Sequence, residues 1–367
     1  MTKPPQSARS SKRLAVAALV VLCLLVAYGF WVRTFLPPLL RPVSAPPAAA
    51  RPAVVQLAAP VILSLATLPQ FPVLLACDGK TLEAGGTRKS TFIFQYWDVA
   101  ALKETRQVTL PDPVGCRLLA ISPDGTMAAL ADPHEHLVMF NLQTRQPMPL
   151  TQAGNVQIIG GVFSPDSRIF SAIRDGAATP GFSGFTAFDL PRGDQIWYSS
   201  TPWSVYAVAI SADPRHFFSG GAISAGGRAQ RGELLDTTQI REFRQEGIVT
   251  CIAVSANCRY ILTGGQRGPS TLWDFRSGKR LRRLAGHFES NGSSSTTAVA
   301  LSADGTMAAT GGADAMIFVF DSSTGDEIAR LAGDTGPISA LWFLGSSDRL
   351  ASASEDGTVR IWNLRRS

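Results

Sequence analysis

The sequence predicts an all-β fold, a seven-bladed β-propeller, preceded by a single transmembrane α-helix. The first observation behind this is a repeat. A short apolar strand, a Ser-x-Asp-like turn, two more strands and an aromatic residue followed by Asp or Asn recur along the chain. Clear copies end at Trp97-Asp98, Phe140-Asn141, Phe188-Asp189, Trp273-Asp274, Phe320-Asp321 and Trp362-Asn363, with Leu235-Asp236 as a weaker copy. The steps between them are 43, 48, 47, 38, 47 and 42 residues, the length of a four-stranded blade. The second observation is turn chemistry, with an Asp or Asn at a fixed place in nearly every copy. The third is an uncharged N-terminal run.

That run, Leu14 to Val32, reads LAVAALVVLCLLVAYGFWV. As a helix rising about 1.5 Å per residue it reaches roughly 28 Å, close to the thickness of a bilayer's hydrocarbon core. Tyr28 and Trp31 fall near its far end, where aromatic rings suit the interface. A cleaved signal peptide is the rival reading. Its apolar core would be shorter and followed by a small-x-small site, whereas Arg33-Thr34-Phe35-Leu36-Pro37 follows here. An uncleaved anchor over 14–32 is therefore expected. Lys3, Arg9, Lys12 and Arg13 in the flank 1–13 outweigh Arg33 and Arg41 after it. This bias places the N-terminus in the cytoplasm and the propeller on the outer side. Residues 33–60, rich in Pro and Ala, cannot bury a core and read as an extended linker.

The propeller is expected over 61–367. Its last repeat shows the frame: Ile338–Phe343, a turn, Leu350–Ser354, Asp356-Gly357 and Thr358–Leu364. Asp-Gly is a hairpin turn because Gly supplies positive φ. The first turn of the frame recurs as Cys77-Asp78-Gly79, Ser122-Pro123-Asp124, Ser164-Pro165-Asp166, Ser211-Ala212-Asp213, Ser255-Ala256-Asn257 and Ser302-Ala303-Asp304. In each, Asp or Asn can bond its own backbone. Only three residues follow Leu364, so the last blade lacks a fourth strand. Val61–Leu65 is the candidate to supply it, closing the ring and removing an exposed edge.

On these turns, the aromatic-Asp/Asn pairs, Gly286-His287, and Leu-Ala-Ser-Ala-Ser followed by Asp-Gly-Thr-Val-Arg-Ile-Trp-Asn, residues 61–367 resemble the WD40 repeat family. The resemblance implies a buried hydrogen-bond network of His, Ser or Thr, Asp and Trp within a blade. By position the sixth repeat offers His287, Thr310 and Asp314, with Phe320 where Trp would be. The seventh offers Ser352, Asp356 and Trp362, with Asp334 where His would be.

Loops b–c within a blade and d–a between blades share one face of a propeller; a–b and c–d loops share the other. The longest insertions, Asp175–Gly184, Ala222–Arg231 and His287–Thr297, map to the first face, and insertions on one face often mark a binding surface. The candidate partner-binding residues are Arg88, Lys89, His134, His136, Arg228, Arg231, Arg267, His287 and Glu289. Loop-length variation without function is the bland alternative. Asp132-Pro133-His134-Glu135-His136 could pair two imidazoles on one side of a strand, as a metal requires. It also reads as an ordinary hairpin turn, and no third ligand is visible. Cys251 and Cys258 share a hairpin; small buried thiols are expected there rather than a disulfide.

Residues 1–60 hold seven Lys or Arg and no acid, leaving 27 basic against 28 acidic residues beyond. The propeller thus has no general nucleic-acid footprint. No nucleophile elbow, phosphate loop, His-Glu-x-x-His or zinc-spaced Cys/His cluster occurs. The expectation is a membrane-anchored scaffold binding protein partners, not an enzyme, with no cofactor, metal or small-molecule substrate. Two alternatives remain. One is a quinoprotein-like cofactor-binding or enzymatic propeller, suggested by Asp189 to Trp197 and Asp321 to Gly325. The other is a structural subunit of a membrane complex.

Overall fold

The computed structural model describes residues 61–64, 74–77, 81–87, 91–98, 103–111, 116–150, 158–174, 184–201, 203–213, 215–223, 226–233, 236–287, 295–344 and 347–364. The expected anchor 14–32, its flank and the linker lie outside them, as do Arg88, Lys89 and Glu289. Among the described residues no helix is long and apolar enough to cross a membrane.

The described strands form seven four-stranded antiparallel sheets. Blade one is Leu74–Cys77, Thr81–Thr87, Thr91–Asp98 and Lys103–Pro111. Blade two is Arg117–Ile121, Met127–Ala131, Leu137–Asn141 and Gln146–Met148. Blade three is Ile158–Phe163, Ile169–Arg174, Gly184–Asp189 and Asp194–Ser200. Blade four is Ser204–Ile210, His216–Ile223, Gly226–Glu233 and Asp236–Glu246. Blade five is Ile248–Val254, Tyr260–Gln266, Ser270–Asp274 and Arg280–Leu284. Blade six is Thr296–Leu301, Met307–Gly312, Met316–Asp321 and Glu327–Ala332. Blade seven is Ile338–Phe343, Arg349–Ser354 and Thr358–Asn363, completed by Val61–Ser64. Inner strands touch those of the next blade, and blade one's touches blade seven's, closing the ring into a β-propeller.

Closure has the expected form. Val61 pairs with Ile361 and Ser64 with Thr358, antiparallel. The chain therefore enters at the a–b/c–d face, where strand c of blade seven also ends.

The Ser-x-Asp turns close the a–b hairpins. Ser122, Ser164, Ser211, Ser255 and Ser302 are fully buried. Ser122 Oγ donates to Asp124 at 2.6 Å and accepts the Met127 N–H at 2.9 Å. Ser302 does the same with Asp304 at 2.7 Å and Met307 at 2.9 Å. A buried hydroxyl is thus satisfied on both sides. The residue after the Asp or Asn adopts positive φ at Gly125, Ser167, Cys258 and Gly305.

Apolar residues of sheet faces interleave between blades. Ala298, Val319, Leu331, Ile338, Leu350 and Trp362 belong to one such cluster, spanning blades six and seven. The repeated aromatic of strand c sits opposite the second residue of strand b: Trp273 against Ile261, Phe320 against Ala308, Trp362 against Leu350.

Blade four corrects the sequence reading twice. Strand c ends at Glu233, and the slot opposite Phe217 holds Gly232, so Leu235-Asp236 is not the fourth copy of the aromatic pair. Phe217 supplies the ring from strand b. It packs against Phe185 at 4.5 Å and Trp197 at 4.2 Å, and a Cβ on Gly232 would lie 2.4 Å from its ring. The supposed insertion Ala222–Arg231 is mostly paired strand, with register continuing to Ile223 opposite Gly226.

Candidate functional site

The b–c/d–a face is held by polar networks that tie the link between blades to the following blade. In blade six, His287 is 3% exposed. Its Nδ1 lies 2.9 Å from Asp314 and its Nε2 2.9 Å from Thr310. In the tautomer whose Nδ1–H donates to the carboxylate, Nε2 accepts the Thr310 hydroxyl. Phe318 meets the imidazole edge-on at 4.8 Å. Both ring nitrogens are thus engaged, so His287 is a structural member of the face.

Blade seven solves the same problem with other residues. Trp362 Nε1 donates to Ser352 at 2.9 Å, and Ser352 donates to Asp334 at 3.3 Å. Asp334 stands where blade six has His, and Arg360 balances its charge, paired with Asp334 and, at 3.2 Å, with Asp356. Burial pushes the Asp334 carboxyl up while Arg360 pulls it down, and the net direction is upward.

A third version lies in blade five. Trp273 Nε1 donates to Thr263 at 2.8 Å, and Thr263 donates to Gln245. Sequence reasoning missed Gln245 and Arg360. Gln245 becomes visible only by aligning the end of blade four's fourth strand with blade five's second strand, and Arg360 only by pairing blade seven's third strand with Asp334 in the link before it.

The expected site residues disperse. His134 and His136 sit in the b–c turn of blade two, where Asp132 Oδ1 accepts both their backbone N–H groups at 2.8 Å. Their rings are 5.9 Å apart, and His136 Nδ1 lies 3.3 Å from Asp132. Among the described residues no group of three or more His, Cys, Asp or Glu is placed to hold a metal ion. Arg267 is exposed in the b–c turn of blade five with φ of 63°. Arg228 lies on strand c of blade four, near the same face, paired with Glu242. Arg231 does not belong to this face. Strand c runs on toward the opposite face, where its guanidinium donates to the Phe275 carbonyl at 2.5 Å. The structure thus brings His134, His136, Arg267, His287 and Arg228 to one end of the ring without making them one cluster.

Two exposed aromatics near this end were not anticipated. Tyr206, 47% exposed, lies near the start of the inner strand of blade four. Tyr198, 43% exposed, carries the Arg174 guanidinium 4.5 Å from its ring centroid. Aromatics alternating against the buried register, as in Val205-Tyr206-Ala207, are the signal that could have found Tyr206. Arg117, at the start of blade two's inner strand, joins Glu135 at 2.6 Å and the Ile159 carbonyl at 3.1 Å. It ties blade two to blade three at this face.

The thiols are free at Cys116, Cys251 and Cys258. Cys251 and Cys258 form no disulfide, because one is on an inner strand opposite Gly264 and the other is in the next turn. Burial pushes the Cys251 thiol up to about 12, so it is not a nucleophile at neutral pH. Trp197, which carried the quinoprotein-like alternative, is a buried ring between Phe185 and Phe217.

Residues 278–321 and 325–363 match the WD40 family model, described as WD domain, G-beta repeat. The chain carries WD40 repeats there. Each match starts at or just before the outer strand of one blade and runs through three strands of the next, so a chain of such repeats requires a borrowed strand to close. No curated protein matches the chain.

Proposed function

We propose that the protein is a membrane-anchored WD40-repeat scaffold whose b–c/d–a face binds a protein partner, without catalysis of its own. The observation that carries this reading is the division of labour at that face. His287, Thr310, Asp314, Asp334, Ser352 and Arg360 are spent on one another inside the ring. Exposed Tyr206, Tyr198, His134 and Arg267 stand outside these networks. A rigid frame beneath exposed aromatic and cationic side chains suits partner recognition, where Tyr and Arg are favoured anchors. The WD40 match supports an interaction role. Residues 14–32 supply the anchor, and the charge bias around them puts the propeller on the outer side.

Affinity capture of the tagged full-length chain from gently solubilised membranes tests this. The expected result is one stoichiometric protein partner, lost in a Tyr206→Ala/Arg267→Glu variant whose melting temperature is unchanged. A partner retained by that variant moves the binding face elsewhere. Recovery of the chain alone contradicts the scaffold reading. A reporter fused after Ser367 tests sidedness, with cytoplasmic activity overturning the outer placement.

A further inference from the structure

We infer that the a–b/c–d face of blades four and five is a docking surface for an anionic lipid bilayer. The inference rests on the membrane-anchored reading above and adds which side of the ring meets the lipid. Two observations carry it. First, Val61 begins the closing strand opposite Ile361, so the chain leading from residues 14–60 joins the ring at this face and not at the partner-binding one. Second, this face carries a patch of unpaired cations.

Arg215, Arg241, Arg259, Arg276, Lys279 and Arg280 are all exposed, and among the described residues none of them is within ion-pair distance of a carboxylate, although Arg276, after the Ser277 hydroxyl, helps to hold the Asp274 carboxyl down. The cations of the two blade-five turns and Arg241 are contiguous, with Arg215 in the neighbouring a–b turn of blade four. Arg241 donates to the Arg276 carbonyl at 3.1 Å and its stem covers Gly278. The Arg259 carbonyl accepts the Phe275 N–H at 2.9 Å. Three described carboxylates, Asp213, Glu233 and Asp274, lie among these six cations, so the patch keeps a net positive charge. Asp274 accepts the Ser277 N–H and hydroxyl, each at 2.6 Å. Asp213 and Glu233 flank His216 at 3.5 and 4.0 Å. Asp304 of blade six, whose carbonyl accepts from the Asn257 amide, lies beside the turn that carries Arg259. Ile240, 44% exposed beside Arg241, is the one exposed large apolar side chain at the patch among the described residues, so charge is the main thing this surface offers a bilayer. A cation near an anionic bilayer contributes on the order of fivefold to partitioning.

The test uses the full chain reconstituted into vesicles of phosphatidylcholine, with or without phosphatidylglycerol, containing an acceptor lipid. A fluorescent amino acid is placed at exposed Ala256 on this face or at exposed Gln266 on the other. Energy transfer from Ala256 should rise at least twofold when phosphatidylglycerol is present, and transfer from Gln266 should not. Salt at about 1 M, where the screening length falls to roughly 3 Å, should reverse the rise. So should Arg276→Gln/Lys279→Gln/Arg280→Gln, whose melting temperature should be unchanged because all three side chains are exposed. Equal response at both positions, or a response at Gln266 alone, overturns the inference. Carbonate extraction of the same vesicles reports the anchor separately. If the chain is extracted, the anchored reading fails, and co-sedimentation with the same vesicles decides the patch. Salt-sensitive binding that the triple variant loses upholds the docking surface, and no binding overturns it.

Discussion

Each Ser-x-Asp turn is a small closed circuit in which a buried hydroxyl donates to a carboxylate or amide and accepts a strand N–H. That circuit was legible in the sequence because every partner lies within five residues. The networks at the other face were legible only in part. His287, Thr310 and Asp314 follow the family spacing, whereas Gln245 and Arg360 substitute chemically for residues they do not resemble. Removing one partner from a buried pair costs more than the bond itself. Thr310→Val keeps the shape but leaves Nε2 of His287 unpartnered, and should lower unfolding free energy by about 1–3 kcal/mol in denaturant melts. Ala315 offers the opposite case. Its φ is 60°, and the matching residue of blade seven is Gly357 at 83°. Relief of the left-handed strain, about 1–2 kcal/mol, exceeds the entropy cost of a glycine in the unfolded chain. Ala315→Gly should therefore raise the denaturation midpoint.

Blade four shows why element boundaries resist sequence reading. Its aromatic moved from strand c to strand b, and the repeat pattern follows strand c alone, so Leu235-Asp236 drew the assignment that belongs to Gly232-Glu233. The swap leaves a coupled pair. Gly232→Ala should destabilise the protein by about 1–3 kcal/mol through overpacking, because Phe217 is wedged between Phe185 and Trp197 and cannot yield. Adding Phe217→Leu should recover part of that loss, and a double-mutant cycle in denaturant would read the coupling.

The turns also set the acid response. Burial works to raise the carboxyls of Asp132, Asp213, Asp304 and Asp356, but turn N–H and hydroxyl donors outweigh it and hold them below the usual range. At Asp274 and Asp321 the Ser277 and Ser323 hydroxyls are the main cause. A depressed folded value contributes stability that is present above the unfolded value, about 3.9. That stability is lost as pH falls through the folded values. Asp334, shifted up, acts with the opposite sign and offsets part of the loss. The melting temperature should hold from neutral pH to about 5 and fall below about 4. In Asp304→Asn the drop should be shallower.

At the scale of the whole molecule, the repeat length made the propeller and its borrowed strand readable, since a three-strand ending leaves an edge that must be filled. The division of the faces was less readable. Arg231 was assigned by counting loop residues, and the longer strands of blade four carry it to the other side. Both ends of the described ring, Val61 and Leu364, lie at the a–b/c–d face, opposite the face proposed to bind a partner.

Site-specific photo-crosslinking of the full-length chain in its native membrane tests the platform reading most directly, with the probe at Arg267 in one variant and at Ala256 in another. The expected result is a discrete protein adduct of defined mass from Arg267 and none from Ala256. The same protein adduct from Ala256 alone, or no protein adduct from Arg267 at any dose, would contradict a scaffold that binds through its b–c/d–a face.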